Sequence, residues 1–141
     1  MRRVPAFTLL ELIVVMTLAG LLMAIAIPRL TALRDAAAVR AAMGELGAAF
    51  SMARHTAITR RTMVAIVLDT SAGVVEVHAF GQPVLRHGLH TVYGIVLRAN
   101  KDSTAYDARG LGYGLANLTV TVSRGAFVDT LTMSRLGGAR W

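Results

Sequence analysis

The chain has 141 residues, 55% of them apolar and 16% charged, with a formal net charge of +7 and no cysteine. That length holds a membrane segment and one small domain, not two. Without thiols a disulfide framework is excluded, so the domain must stabilise itself by core burial alone. Fourteen of the 15 basic residues are Arg, with Lys101 the exception. The guanidinium fork suits phosphate, but the Arg residues form no run, and genomic base composition accounts for them equally well.

The chain opens with the six-residue leader MRRVPA, which carries Arg2 and Arg3. A run of about 21 apolar residues from Phe7 to Ile27 follows, about 31 Å as an α-helix and enough to cross a bilayer. It holds one carboxylate, Glu11. An ionised acid in hydrocarbon costs several kcal/mol, so Glu11 is a functional residue by default. An ordinary secretory signal is one alternative, and Ala24-Ile25-Ala26 supplies a cleavage-like tripeptide. The apolar stretch is too long for that, however, and Glu11 interrupts it. Twin Arg2-Arg3 lacks the flanking pattern of a twin-arginine signal, and a plain anchor leaves Glu11 unexplained. Pro28 removes one backbone hydrogen bond, which kinks or loosens a helix, or else ends the span.

Beyond Pro28 helical periodicity resumes. Val39, Met43, Leu46, Phe50, Ala53 and Ala57 recur at alternating spacings of four and three, which places them on one face. The spacing predicts a helix to about residue 58 that packs on its own domain. The period then becomes strand-like. Met63–Leu68 and Val74–Phe80 read as a hairpin turning at Ser71-Ala72-Gly73. Val92–Arg98, Leu118–Arg124 and Phe127–Met133 are further strand candidates, and Lys101–Asn117 reads as a long Gly-rich loop. A long helix followed by antiparallel strands is an α+β pattern.

The basic leader, a small residue and Phe7-Thr8-Leu9-Leu10-Glu11 opening an apolar helix resemble the type IV prepilin signal, which type II secretion pseudopilins share. The resemblance implies cleavage by a prepilin peptidase between Ala6 and Phe7 and methylation of Phe7. Ala6 stands where the family usually has Gly. Glu11 falls at the family's signature acid, which pairs with the N-terminal amine of a neighbouring subunit, and a buried carboxylate does need such a cation. Gly20 and Pro28 match positions where pilin helices carry Gly and Pro. Phe50 to Asp69 is similar to the helix-to-strand segment of the GspH/FimT family, through Ala53-Arg54, Ala57, Arg60-Arg61 and Val64–Leu68. Tyr106–Gly110 resembles that family's aromatic-x-x-x-Gly element. Gly137-Gly138-Ala139-Arg140-Trp141 resembles its Gly-Arg end, which in some members binds DNA, with one Arg of the pair missing.

No catalytic constellation stands out. His87 and His90 lack converging partners and read as solvated loop residues, Asp102 and Asp107 lack calcium-loop spacing, and Gly110–Gly114 is not a phosphate loop. The expectation is a non-enzymatic α+β chain with no cofactor and no metal. A long N-terminal transmembrane and amphipathic helix would pack on an antiparallel head of one or two small sheets. Residues 1–6 would be leader, 7–28 the transmembrane segment and 29–141 a periplasmic pilin-like head. The resemblance implies a minor pseudopilin of the type II secretion pseudopilus, or else a minor type IV pilin for pilus assembly or DNA uptake. It would sit single-pass in the inner membrane of a diderm bacterium, its N-terminus in the cytoplasm. Its partners would be prepilin peptidase, membrane lipid and other pilins or pseudopilins in a hetero-oligomeric filament. Glu11, Gly20 and Pro28 would serve assembly. Nucleic acid, through Arg124, Arg135 and Arg140, is the less favoured partner.

Overall fold

A computed structural model describes residues 8–113 and 117–141. The chain divides between Arg34 and Asp35 into two compact units. Helix α1 (Leu9–Arg60) supplies the described part of the first unit and the opening of the second. Its N-terminus is capped by Thr8, whose Oγ1 accepts the Glu11 backbone N–H at 3.2 Å while its carbonyl accepts from Leu12. Thr8-x-x-Glu11 is thus the Ser/Thr-x-x-Glu signature of a helix start, which satisfies donors that the first turn would leave orphaned. Helical geometry continues through Pro28. Pro28 has no N–H for the Ala24 carbonyl, and the Thr31 hydroxyl donates to the Pro28 carbonyl at 2.9 Å.

Every residue from Thr8 to Thr31 is exposed, and an 18-residue window of this stretch is long and apolar enough to cross a membrane. The second unit buries the opposite half of the helix. Val39, Met43, Leu46, Phe50, Ala53 and Ala57 are all buried, as their spacing requires, and Ala42, Gly47 and Ala49 widen the stripe.

Two antiparallel sheets complete the second unit. The first has β3 (Gln82–Gly88), β2 (Val74–Ala79), β1 (Val64–Asp69), β5 (Ser103–Tyr106) and β6 (Gly112–Tyr113), in that spatial order. The second runs β4 (Val96–Ala99), β7 (Leu118–Arg124), β8 (Phe127–Met133), β9 (Ala139–Arg140). Alternation along β1 and β2 buries Val64, Ile66, Leu68, Val75 and Val77, and along β7 it buries Leu118, Val120 and Val122. These side chains form one core with the helix stripe, Leu97, Tyr106, Leu131 and Met133. The Gly112 N–H donates to the Arg135 carbonyl at 3.0 Å and ties the two sheets together.

Several expectations are corrected. Val92–Arg98 is not one strand: its start belongs to a short helix, α2 (Leu89–Tyr93), closed by Gly94 in the left-handed region at φ 62°. A strand resumes only at Val96, because that glycine cap turns the chain. Lys101–Asn117 is not a loop throughout, since it contributes β5 and β6 to the first sheet. The Gln82–Gly88 strand had no apolar alternation to betray it, being an edge strand with most positions exposed and a register shift beside Pro83. The histidines are not loop residues. His55 lies on α1, His78 on β2, His87 on β3 and His90 on α2.

Candidate functional site

The expected processing residues Ala6 and Phe7 lie outside the described residues. Glu11 sits in the first turn of α1, exposed, with its backbone held by Thr8. A carboxylate in a first helical turn is favoured by the positive end of the helix dipole. Gly20 faces open space, with no atom within 4 Å of where a Cβ would stand. Thr8 to Thr31 thus form an exposed apolar stretch with a glycine notch and one acid.

In the head, three sequence elements separated by scores of residues converge. Arg54 projects from α1 and its Nε donates to the Gly110 carbonyl at 3.0 Å. Gly110 (φ 76°) lies in the turn after Tyr106, and a Cβ there would stand 2.6 Å from Ile58 of α1. Gly137 (φ 75°) packs directly on the Gly110 carbonyl, so close that a Cβ would stand 2.1 Å from that oxygen. Both positions therefore demand glycine twice over, by backbone conformation and by space. The Asp107 carboxylate shapes the same turn by accepting the N–H groups of Arg109 and Leu111, each at 2.9 Å. Those backbone donors, Leu111 foremost, and the Arg109 charge hold the Asp107 carboxyl below its usual value. Burial pushes the Tyr106 phenol above its usual value, and the Arg54 charge partly offsets this. The helix end, the aromatic-x-x-x-Gly element and the Gly-Arg end thus meet at one junction. Sequence reading named each separately, but nothing in one chain's sequence pairs them.

A second junction had no sequence signal. Glu45 of α1 accepts the Tyr93 hydroxyl at 3.1 Å and meets His87 Nδ1 at 2.7 Å, tying α1 to α2 and β3. Burial first, and then Glu45, raises the Tyr93 phenol above its usual value.

The three Arg expected at a nucleic-acid surface do not come together. Arg124 ends β7, where its Nε pairs with Asp35 at 2.8 Å and its NH1 donates to the Tyr93 carbonyl. Arg140 pairs with Thr132 near the other end of β8, and Arg135 lies in the β8–β9 turn. In the β7–β8 register Thr132 faces Thr119, five residues from Arg124, or about 17 Å along the strand. Arg124 is a structural residue, whereas Arg135 and Arg140 are exposed. Arg135 also borders an open groove of about 640 Å³, lined by Ala65, His78, Lys101, Tyr113 and Met133 among others. Among the described residues no group of three or more His, Cys, Asp or Glu is placed to hold a metal.

The family model for the prokaryotic N-terminal methylation motif matches residues 1–27. No curated protein matches the chain in sequence. Among solved structures, the type IV minor pilin FimU of Pseudomonas aeruginosa PAO1 is similar in two crystal forms. The P21 form superposes with a TM-score of 0.62 over 72% of this chain and 86% of its own, at 17% identity. The P65 form gives 0.60, covering 72% and 90%, again at 17% identity. The fold is a pilin fold. A prepilin-type methylation motif at one end and a two-sheet pilin head at the other make the chain type IV pilin-like.

Proposed function

We propose that this chain is a minor subunit of a pilin-type filament of the GspH/FimT branch, anchored in the inner membrane with its head in the periplasm. The observation that carries the reading is the methylation motif over residues 1–27, which takes in an apolar helical stretch exposed from Thr8 to Thr31 among the described residues. In this reading prepilin peptidase cuts after Ala6 and the new Phe7 amine is methylated. Glu11 then pairs with the amine of an adjacent subunit, setting axial register, because a carboxylate in a dry bundle is tolerable only beside a cation. Gly20 admits a close neighbouring helix, and Pro28 supplies local give where the helix leaves the bilayer.

Two machines use such subunits. A role in the type II secretion pseudopilus follows from the sequence resemblance. The likeness to FimU, a type IV minor pilin, favours a role in pilus assembly, and we adopt the pilus as the first of the two. N-terminal mass spectrometry of the membrane-extracted chain tests the shared part: methylated Phe7 as first residue is expected, and an intact Met1 in assembled filaments overturns it. Deleting the gene separates the machines, since loss of surface pili supports the pilus and loss of exported enzymes with intact pili supports secretion.

A further inference from the structure

The C-terminal segment is attached to the head in an unusual way. Residues 134–141 give the core little to hold. Arg135, Leu136, Arg140 and Trp141 are exposed, Leu136 at 77% and Trp141 at 62%, and only Ala139 packs against the core from outside. The strand pairing is two residues long, Thr132 with Arg140 and Met133 with Ala139. What fixes the segment is a short set of mainly backbone contacts. The Arg135 carbonyl accepts from Gly112, Ser134 and Gly138 close a turn, and Gly137 rests on the carbonyl that Arg54 holds. The Trp141 indole lies on α1 at Gly47, where a Cβ would come within 2.8 Å of the ring.

We infer that residues 134–141 form a strap with a clasped and a released state, and that Arg54, Gly110 and Gly137 are its clasp. Arg54 is the positioning residue, since its guanidinium fixes the Gly110 carbonyl on which Gly137 seats. Segments with few buried apolar contacts open at a small fraction of the global stability. The head keeps its core when the strap lifts, because every fully buried large side chain belongs to residues 43–131. Release uncovers three things together: the Gly112 N–H, the helix face at Gly47, and the outer edge of β8 at Thr132–Met133. β9 covers only these two residues, so release extends the edge that β8 already leaves open over residues 127–131, backbone of the kind to which an extended segment can add. Clasping covers its last two residues and fixes Arg135 beside the groove.

Amide hydrogen exchange and Trp emission on the full chain in detergent micelles test this, Trp141 being the sole tryptophan. Arg54→Met removes the donor, and Gly137→Ala removes the seat without changing any charge. Both should raise exchange at Gly112 and Ser134 by about tenfold or more, leave exchange in β1, β2 and β7 unchanged, and shift Trp emission to the red. Arg54→Lys keeps a donor and should hold exchange near the parent value. Unchanged exchange at Gly112 and Ser134 in both variants overturns the proposal. So does a rise of equal size across β1, β2 and β7, which would make the strap part of one cooperative unit.

Discussion

The division of helix α1 into a stretch exposed among the described residues and a stretch within the core can be tested with two truncations. Phe50 is fully buried, with 0% of its surface exposed, on the stripe that α1 turns toward both sheets. Phe50→Ala removes a ring and leaves a cavity, and such truncations cost about 3–5 kcal/mol. Domains of this size are stable by about 5–15 kcal/mol. The loss is therefore a large share of the total, and at about 4–8 °C per kcal/mol it lowers the melting temperature by at least about 12 °C. Leu18 is chemically similar and only nine turns of sequence pattern away, but it is 55% exposed and lies in the first unit. Leu18→Ala should leave the melting of the head within about 2 °C, inside the range of ordinary surface substitutions. Thermal unfolding of the full chain in detergent micelles, followed by the near-ultraviolet signal of the head, makes the comparison. Equal shifts for the two variants would refute the reasoning, because they would mean that Leu18 is core or that Phe50 is not.

Acid should loosen two turns. Hydrogen bonds from Ser71 and Ala72 hold Asp69 below its usual value, and backbone donors do the same for Asp107. A lowered folded value means their contribution is complete above the unfolded value and is lost as pH falls through the folded one, so it fades below about pH 4. Melting against pH should therefore show a flatter acid limb in the Asp69→Asn, Asp107→Asn double variant; an unaltered limb would contradict this. Arg124 and Asp35 should couple by about 1 kcal/mol in a double-mutant cycle, since the pair is close yet partly open to solvent. Additive effects in that cycle would make the ion pair incidental.

The long helix was legible because burial on one face leaves a period, and the hairpin at Ser71-Ala72-Gly73 because turn residues sit between two β-branched runs. Leu118–Arg124 and Phe127–Met133 were read to the residue for the same reason: each buries one face and Arg124-Gly125 punctuates them. What escaped had no face to bury. Gln82–Gly88 is an edge strand, β6 and β9 are two residues long, and Ser103–Tyr106 is too short to show alternation against its Gly-rich surroundings. Val92–Arg98 misled because apolar content was weighed above Gly94, which alone carried the information that the chain turns there. At the candidate sites, the N-terminal acid could be read because a charge in an apolar run is anomalous wherever it occurs. The cap at Thr8 went unread, although Thr-x-x-Glu is the pattern that marks such a helix start. The Arg54 junction was not, since its members lie in three segments and only the fold brings Gly110 and Gly137 into contact.

The same reasoning decides how much weight the chain's many arginines can bear. Four of them are spent inside the head: Arg54 on the Gly110 carbonyl, Arg86 on Glu76, Arg109 on Asp107 and Arg124 on Asp35. Lys101 is likewise engaged within the fold. Arg29, Arg34 and Arg40 follow the apolar stretch along α1, where cations suit lipid headgroups. Arg60 and Arg61 close the helix, where positive charge offsets the dipole. Arg98 on β4, and Arg135 and Arg140 at one end of the second sheet, remain as exposed cations among the described residues. Even three phosphate contacts give a log–log salt slope of only about −3, against roughly −5 to −9 for proteins that make six to ten. A basic composition of +7 therefore argues for nucleic acid far less than it first suggests. Arg124 and Arg140 lie toward opposite ends of the β7–β8 pair, so the excess is not gathered into one phosphate-tracking surface.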